Sequence, residues 1–322
     1  MKSGKSVTPT RETIIEAHER IRPHVHRTPV FTSQAINRMS GADLFFKCEN
    51  FQKVGAFKAR GATNCILSLS SEQLVHGVAT HSSGNHAQAL SWAASLAKTM
   101  AYVVMPTNSN PVKVNAVKEY GGKVTFCEST LAARESTLKE VLKKTGATEV
   151  HPYNNLLIIA GQATAACELL EEVHQLDIVM APVGGGGLLS GTALACHYFS
   201  PETKVVGAEP FQANDACLSF TTKKFVPSIN PTTIADGLKT SLGSFTFPII
   251  LDHVTSILTA REETIIEAMR LIWERMKILV EPSAAVPVAA LLENSDLLKN
   301  KRIGIILSGG NIDLNTLPWI KS

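Results

Sequence analysis

No stretch of this sequence carries charge of a single sign. Its 31 basic and 28 acidic residues are interleaved for a net charge of +3, and only 6% of its residues are aromatic. A nucleic-acid groove needs a basic face and stacking platforms, so that class of partner is excluded. Cysteines are few and scattered: Cys48, Cys65, Cys127, Cys167, Cys196 and Cys217 never fall closer than 17 residues apart, with no C-x-x-C pair for zinc or dithiol chemistry. They suit small core positions in a reducing compartment. Met1–Ser6 lacks the apolar stretch of a secretory signal, which makes the cytoplasm the expected location. The one long uncharged run, Ile178–Cys196, is broken by Pro182 and five glycines. That pattern predicts strand, loop and buried helix, and no membrane is expected as a partner. Solenoid repeats, low-complexity tracts and Pro- or Ser-rich linkers are missing too, so any two domains share the chain intimately. A G-x-x-x-x-G-K-[ST] loop is absent, which disfavours a P-loop nucleotide enzyme.

What is present suffices for two modest domains: 322 residues, 44% hydrophobic and 18% charged. Thr8 and Pro9 predict a helix start, with Ile14, Ala17, His18 and Ile21 at helical spacing up to Pro23. Short apolar runs then alternate with helical segments: Leu44–Lys47, Val78–Thr80, Ala101–Met105, Val124–Cys127, Ile178–Val183, Val205–Ala208 and Ile303–Leu307. Strands apolar on both faces and separated by helices predict an α/β fold, its sheets mostly parallel and covered on both sides. Thr259 and Glu262 predict a capping box for a late helix that packs Ile265, Met269, Ile272, Trp273 and Met276 on one face. Residues 77–151 hold several short βα units of their own. They are expected to form a small mobile domain inserted into a larger one made of 1–76 and 152–322.

Two motifs carry chemistry. Ala56-Phe57-Lys58-Ala59-Arg60 sets one lysine among small and apolar neighbours, where an amine can lose its proton and react. Gly184-Gly185-Gly186-Gly187-Leu188 follows an apolar strand and leads into a helix, the arrangement that cradles a phosphate with backbone N–H groups. A reactive lysine and a separate phosphate cup are what pyridoxal 5'-phosphate requires, because that cofactor is anchored by its aldehyde and its phosphate. A third motif, His81-Ser82-Ser83-Gly84-Asn85-His86, follows the strand Val78–Thr80 and gathers hydroxyls, an amide and N–H groups at a helix start. Such a turn suits a carboxylate, although the same residues could simply cap the helix.

With Leu307-Ser308-Gly309-Gly310-Asn311, these motifs resemble, in collinear order from about residue 10 to about residue 318, the fold-type II pyridoxal-phosphate enzymes and within them the serine racemase and serine/threonine dehydratase group. The resemblance implies a tryptophan synthase β-like two-domain fold. It implies that Lys58 forms the internal Schiff base and takes the Cα proton. Phe57 would pack beside the ring, Asn85 would bond its hydroxyl, Gly184–Gly187 and Leu188 would hold the phosphate, and Gly237 and Glu281 would line the pocket. Ser308 would face the pyridine nitrogen as a neutral partner. That weakens the ring as an electron sink and favours fast elimination or reprotonation over transamination.

Ser83 stands, in enzymes resembling serine racemase, on the face opposite the lysine and would return a proton there. Racemisation of serine is therefore expected together with α,β-elimination to a 2-oxo acid and ammonia. Ser82, Ser83, Asn85, His86 and Arg134 are the candidates for gripping the small β-hydroxy amino acid. Glu209 and Asp215, six residues apart with carbonyls between, offer hard oxygen ligands for Mg²⁺, Ca²⁺ or Mn²⁺. The resemblance adds the Ala213 carbonyl and a structural, activating role. It also implies a homodimer. The chain stops a dozen residues after Gly310, so the regulatory domain of biosynthetic threonine dehydratases is expected to be missing. A nucleotide effector stays open: Gln88, Tyr120, Lys277 and Asn311 are compatible, while Val54 replaces a hydroxyl residue. The alternatives are a threo-3-hydroxyaspartate dehydratase, for which no extra cation is evident in the sequence, and a catalytically silent pyridoxal-phosphate-binding protein.

Overall fold

The computed structural model describes residues 8–320, so Met1–Ser6, on which the signal-peptide expectation rests, lies outside the described residues. Its strands are, in chain order, β1 (Val30–Phe31), β2 (Asp43–Cys48), β3 (Val78–His81), β4 (Ala101–Pro106), β5 (Lys123–Cys127), β6 (Thr148–Glu149), β7 (Ile178–Pro182), β8 (Lys204–Pro210), β9 (Ser256–Ala260) and β10 (Arg302–Leu307). They form a six-stranded sheet, β1-β2-β10-β7-β8-β9, and a four-stranded one, β5-β4-β3-β6. Every pairing is parallel except that of β1 with β2.

The side-chain alternation of β7 shows why these runs are apolar throughout. Ile178 and Met180 enter one core with Ile303, Ile305 and the helices Glu262–Met276 and Pro282–Glu293. Val179 and Ala181 enter another with Ile306 and the helices Leu156–Glu172 and Gly187–Phe199. A strand buried on both faces has no polar side to show, as the pattern predicts. The run Ile178–Cys196 is strand, glycine turn and buried helix. Among the described residues, no helix is long and apolar enough to cross a membrane.

Two helix starts differ from expectation. The first helix is Arg11–Ile21, capped by Thr10, whose hydroxyl accepts the Thr13 N–H at 3.3 Å; Thr8 and Pro9 lie outside it. The late helix begins at Glu262 with Arg261 as its cap and no side-chain cap bond, because Thr259 is held in β9 opposite Glu209. The strands β1, β6 and β9 escape the pattern: two are dipeptides and β9 is a half-buried edge with serine and threonine in it.

A buried ionic network lies under the lysine-bearing helix Lys58–Leu67. Arg60 donates to both oxygens of Glu49 (2.7 and 2.8 Å) and both of Glu168 (2.7 and 2.8 Å). Lys47 Nζ donates to Glu168 and to the Thr28 carbonyl, each at 2.7 Å. All four charged side chains are essentially inaccessible. The network ties β2, the helix Lys58–Leu67 and the helix Leu156–Glu172 together.

Candidate active site

The larger sheet reverses its strand order between β10 and β7, and the ends of β2, β10 and β7 lie side by side. Ligands of open parallel sheets bind at such a switch point, off the carboxyl ends of the strands. The chain after β2 carries Lys58, Ser308 follows β10, and Gly184–Gly187 follow β7.

Lys58 is positioned by a clasp. Ala56 bridges Gly309, and the Phe57 N–H donates to the Ser308 carbonyl at 3.0 Å. Immediately upstream, buried Val54 takes φ 55°, a left-handed conformation that costs a β-branched residue of order 1–3 kcal/mol. Asn311 holds it there, donating from Nδ2 to the Val54 carbonyl at 2.7 Å. The half-buried Lys58 amine donates to the Pro152 carbonyl at 2.8 Å and lies 5.1 Å from the centre of the Phe57 ring. Burial lowers its pKa to about 8, against the pull of Glu281, so the neutral amine is accessible near physiological pH.

Four helices begin around this amine without a side-chain cap: Lys58–Leu67, Asn85–Leu96, Gly187–Phe199 and Pro282–Glu293. The helix start at Asn85 is therefore not capped by Ser82 or Ser83, and its first N–H groups are open to an anion. At the glycine loop, a Cβ on Gly185 would come within 2.3 Å of the Tyr153 ring, and one on Gly184 within 2.9 Å of Leu238 Cα. Gly186 takes φ 88° as the helix cap. Thr246 Oγ1 donates to the Gly185 carbonyl at 2.8 Å and pins the loop. The cup thus fits a phosphate, with the Gly185 and Gly186 carbonyls taken by Thr246 and the Ser190 N–H and with Leu188 buried.

Asn85 is fixed by an amide relay. Asn311 Nδ2 gives one hydrogen to Val54 and the other to Asn85 Oδ1 at 2.9 Å, which leaves Asn85 Nδ2 to donate to Glu281 Oε1 at 2.8 Å. Burial, seconded by Asp236, pushes the Glu281 carboxyl up to about 8. Gly309 packs against Glu281, Ala56 and Asn85 in a space no Cβ could share. Ser308 is buried and its hydroxyl makes no hydrogen bond among the described residues; Gly237 donates its N–H to Ser283 at 3.1 Å. Asn311, set beside Gln88, Tyr120 and Lys277 in sequence reasoning, turns inward to the site, while Gln88 is buried and Lys277 exposed.

From the smaller sheet, His86 contacts the Val150 carbonyl through Nε2 at 3.1 Å, and burial, then Lys58, lowers its pKa to about 3. Ser82 and Ser83 are half-buried at the end of β3. Arg134 is further out, on the helix Leu131–Thr145, with one long bond to the Thr130 carbonyl (3.4 Å). The two sheets also meet through Asn110 with Asp313 (3.1 Å) and Lys113 with Asp236. Sequence reasoning missed Tyr153, Thr246, His151 and the role of Asn311. Tyr153, Thr246 and Asn311 act through partners far away in the chain, and His151 accepts from a local turn at Tyr153 and Asn154, so no simple spacing announces them.

About Glu209 lies a second cluster. Glu209 is fully buried and accepts the N–H groups of Ala216 (2.9 Å) and Cys217 (2.8 Å). Asp215 is 5% exposed, yet neither of its carboxylate oxygens has a hydrogen-bond partner. Burial pushes Glu209 up to about 9 and Asp215 to about 6. Two buried acids that form no ion pair among the described residues, and Ala213 buried beside them in the chain, are a donor set that fits a hard divalent cation.

The pyridoxal-phosphate dependent enzyme family model matches residues 21–309. The β-hydroxyaspartate dehydratase of Paracoccus denitrificans is 50% identical over 311 residues, 97% of this chain and 99% of that protein. The serine racemase of Dictyostelium discoideum is 49% identical over 97% of this chain and 98% of its own. Its crystal structure superposes with a TM-score of 0.92 at 48% identity, over 96% of this chain and 100% of that one. The crystal structure of a T.th. threonine deaminase superposes at 0.90 with 41% identity, over 95% and 99%.

Proposed function

The chain belongs to the pyridoxal-phosphate dependent enzymes, and from that premise we propose that it racemises serine and eliminates water from small β-hydroxy amino acids. One observation carries the reading: the Lys58 amine bonds the Pro152 carbonyl, whose neighbour Tyr153 packs on the uncapped glycine helix start, and it acts on His86 in the uncapped helix start lined by Ser82, Ser83 and Asn85. A phosphate and a carboxylate are thereby offered separate cups near one base. The identity to the Paracoccus protein favours a second reading, a 3-hydroxyaspartate dehydratase.

Lys58 would hold the cofactor covalently, Gly184–Gly187 and Leu188 would take its phosphate, and Phe57, Asn85, Gly237, Glu281 and Ser308 would line its ring. When bound, the cofactor supplies the electron sink that makes a Cα proton removable. As a free amine Lys58 would take that proton, and its lowered pKa suits a base near neutrality. Ser83, by the racemase resemblance, delivers a proton to the other face. Ser82, Asn85 and His86 hold the substrate carboxylate against the helix start, with Arg134 closing from the smaller sheet. Asn311 and Glu281 keep the Asn85 amide from flipping. Residues 77–151 are the small domain in this reading, moving against the rest, and the active species is a cytoplasmic homodimer.

L-Serine incubated with the holoenzyme is expected to give D-serine and pyruvate in one tube. In Ser83→Ala, D-serine formation should fall by about 100-fold or more, with pyruvate affected less. Full racemisation in that variant would remove the two-sided mechanism, and a holoenzyme inert towards every hydroxy amino acid would remove the function.

The Glu209 cluster is assigned to a structural Mg²⁺ or a similar cation held by Glu209, Asp215 and the Ala213 carbonyl. Because both acids have raised pKa values, the cation must displace protons to bind. Its affinity should climb as the pH rises from about 6 to about 9, approaching tenfold per unit for each proton released. Calorimetry in buffers of different ionisation enthalpy measures that release. An unchanged melting temperature after chelation and Mg²⁺ addition would exclude the site.

A further inference from the structure

The helix Pro111–Glu119 belongs to neither binding cup, yet it is packed onto one of them. Its Val114 and Val117 share a buried cluster with Ala87, Val103 and Met105. Ala87 lies in the first turn of Asn85–Leu96, so the helix start that carries Asn85 and the helix Pro111–Glu119 form one packed body with β4. On the lysine side, Leu90, Ala93 and Ala94 of Asn85–Leu96 share another cluster with Ala59 and Ala62 of the helix that begins at Lys58.

Among the described residues, two hydrogen bonds tie Pro111–Glu119 and its cap to the larger sheet's side of the molecule, and both leave from the start of the helix. Asn110 accepts the Val112 N–H with Oδ1 at 2.8 Å, which turns Nδ2 outward to donate to Asp313 Oδ2 at 3.1 Å. Lys113 Nζ donates to the Asp236 carboxylate. Two carboxylates facing one helix N-terminus complement its dipole as well. Asp313 comes after the Ser308 and Asn311 loop, and Asp236 adjoins Gly237, so both anchors are continuous with the site. The Lys113–Asp236 pair also acts on the buried Glu281 carboxyl, Asp236 raising its pKa and Lys113 lowering it. Lys113 is 17% exposed and Asp236 51%, which puts this bond at the rim, where water can compete for it.

We propose that Lys113 and Asn110 are positioning residues, whose bonds to Asp236 and Asp313 latch the turn 82–85 in place for the substrate carboxylate. The latch touches no reacting atom. It acts through the packed body behind the turn, so its loss weakens substrate binding and leaves proton transfer at Lys58 intact. The inference rests on the assignment of that turn to the substrate carboxylate made above.

The test is a double-mutant cycle in the holoenzyme with L-serine. Lys113→Met and Asp236→Asn should each raise KM about tenfold, the worth of one hydrogen bond between charged groups, and change kcat less than about threefold. The double variant should be no worse than either single one, because the second change finds the bond already gone. Melting temperatures should stay close to that of the wild type, as expected for a bond at the rim. An unchanged KM, a double variant whose loss is the product of the single losses, or a fall in kcat as large as the rise in KM would overturn the proposal. A holoenzyme that turns over no hydroxy amino acid would defeat the reaction assigned above instead. Amide hydrogen exchange then decides the latch without turnover: residues 234–238 and 311–316 should exchange faster in Lys113→Met, and exchange equal to that of the wild type overturns it.

Discussion

Lys58→Ala protein is expected to fold, to hold no cofactor covalently and to lose at least about 10³-fold in turnover. The variant removes both the group that bonds the cofactor aldehyde and the base that takes the Cα proton, and no second amine is at hand among the site residues described above. Lys58→Arg should not rescue it, because a guanidinium stays protonated and cannot serve as either nucleophile or base. Borohydride reduction followed by peptide mass spectrometry checks the attachment: the wild-type Lys58 peptide gains the cofactor mass and the variant peptide does not. Stability gives an independent readout. A lysine whose pKa is lowered by burial penalises the folded state fully below its folded value of about 8, and that penalty fades as the pH rises to the ordinary lysine value. Lys58→Ala should therefore gain stability, more at pH 7 than at pH 10. Retention of about a tenth of wild-type turnover would rule Lys58 out as the base.

Arg60→Met is the variant with the largest expected cost in stability, about 3–5 kcal/mol. It keeps the apolar stem but leaves Glu49 and Glu168 buried, with Lys47 and the His18 ring, 3.7 Å from Glu168, near to offset two negative charges. Urea unfolding measures the loss. Its pH dependence distinguishes charge from packing. In the wild type, burial alone would raise the Glu168 pKa, but its bonds to Arg60 and the nearby cations outweigh burial and lower it. Glu168 thus contributes stability above the ordinary carboxylate value that is lost as the pH falls through its folded value. Without Arg60, burial prevails, the folded value rises, and the variant should gain stability on acidification. A cost below about 1 kcal/mol, or a pH dependence like that of the wild type, would show that the network contributes little beyond its volume.

The parts of this protein legible from sequence are those set by neighbours along the chain. Strands β2, β3, β4, β7, β8 and β10 are visible because a strand covered on both faces must be apolar along most of its length, and the edge strand β5 shows through its Val124–Cys127 run although it is largely exposed. The lysine, glycine and serine motifs are visible because a strand end, a tight turn and a helix start fall within a few residues of one another. Capping was harder. Thr8 and Thr259 have the right chemistry at the right spacing, yet Thr10 caps the first helix and Thr259 is taken by β9 pairing.

The sequence by itself determined the fold class and the setting of the Lys58 and Gly184–Gly187 motifs at strand ends and helix starts, since each depends on a local pattern that any fold would have to accommodate. Tertiary structure alone decided that Arg60, in the same pentapeptide as Lys58, is a buried structural cation and not a site residue. It decided that Asn311 orients Asn85. Burial and amide orientation are set by partners that the fold brings together, most of them far apart in the chain, as Arg60 with Glu168 and Asn85 with Asn311. Residue spacing carries no information about dielectric or about which hydrogen-bond acceptors remain free. Those quantities exist only once the chain has closed around the site.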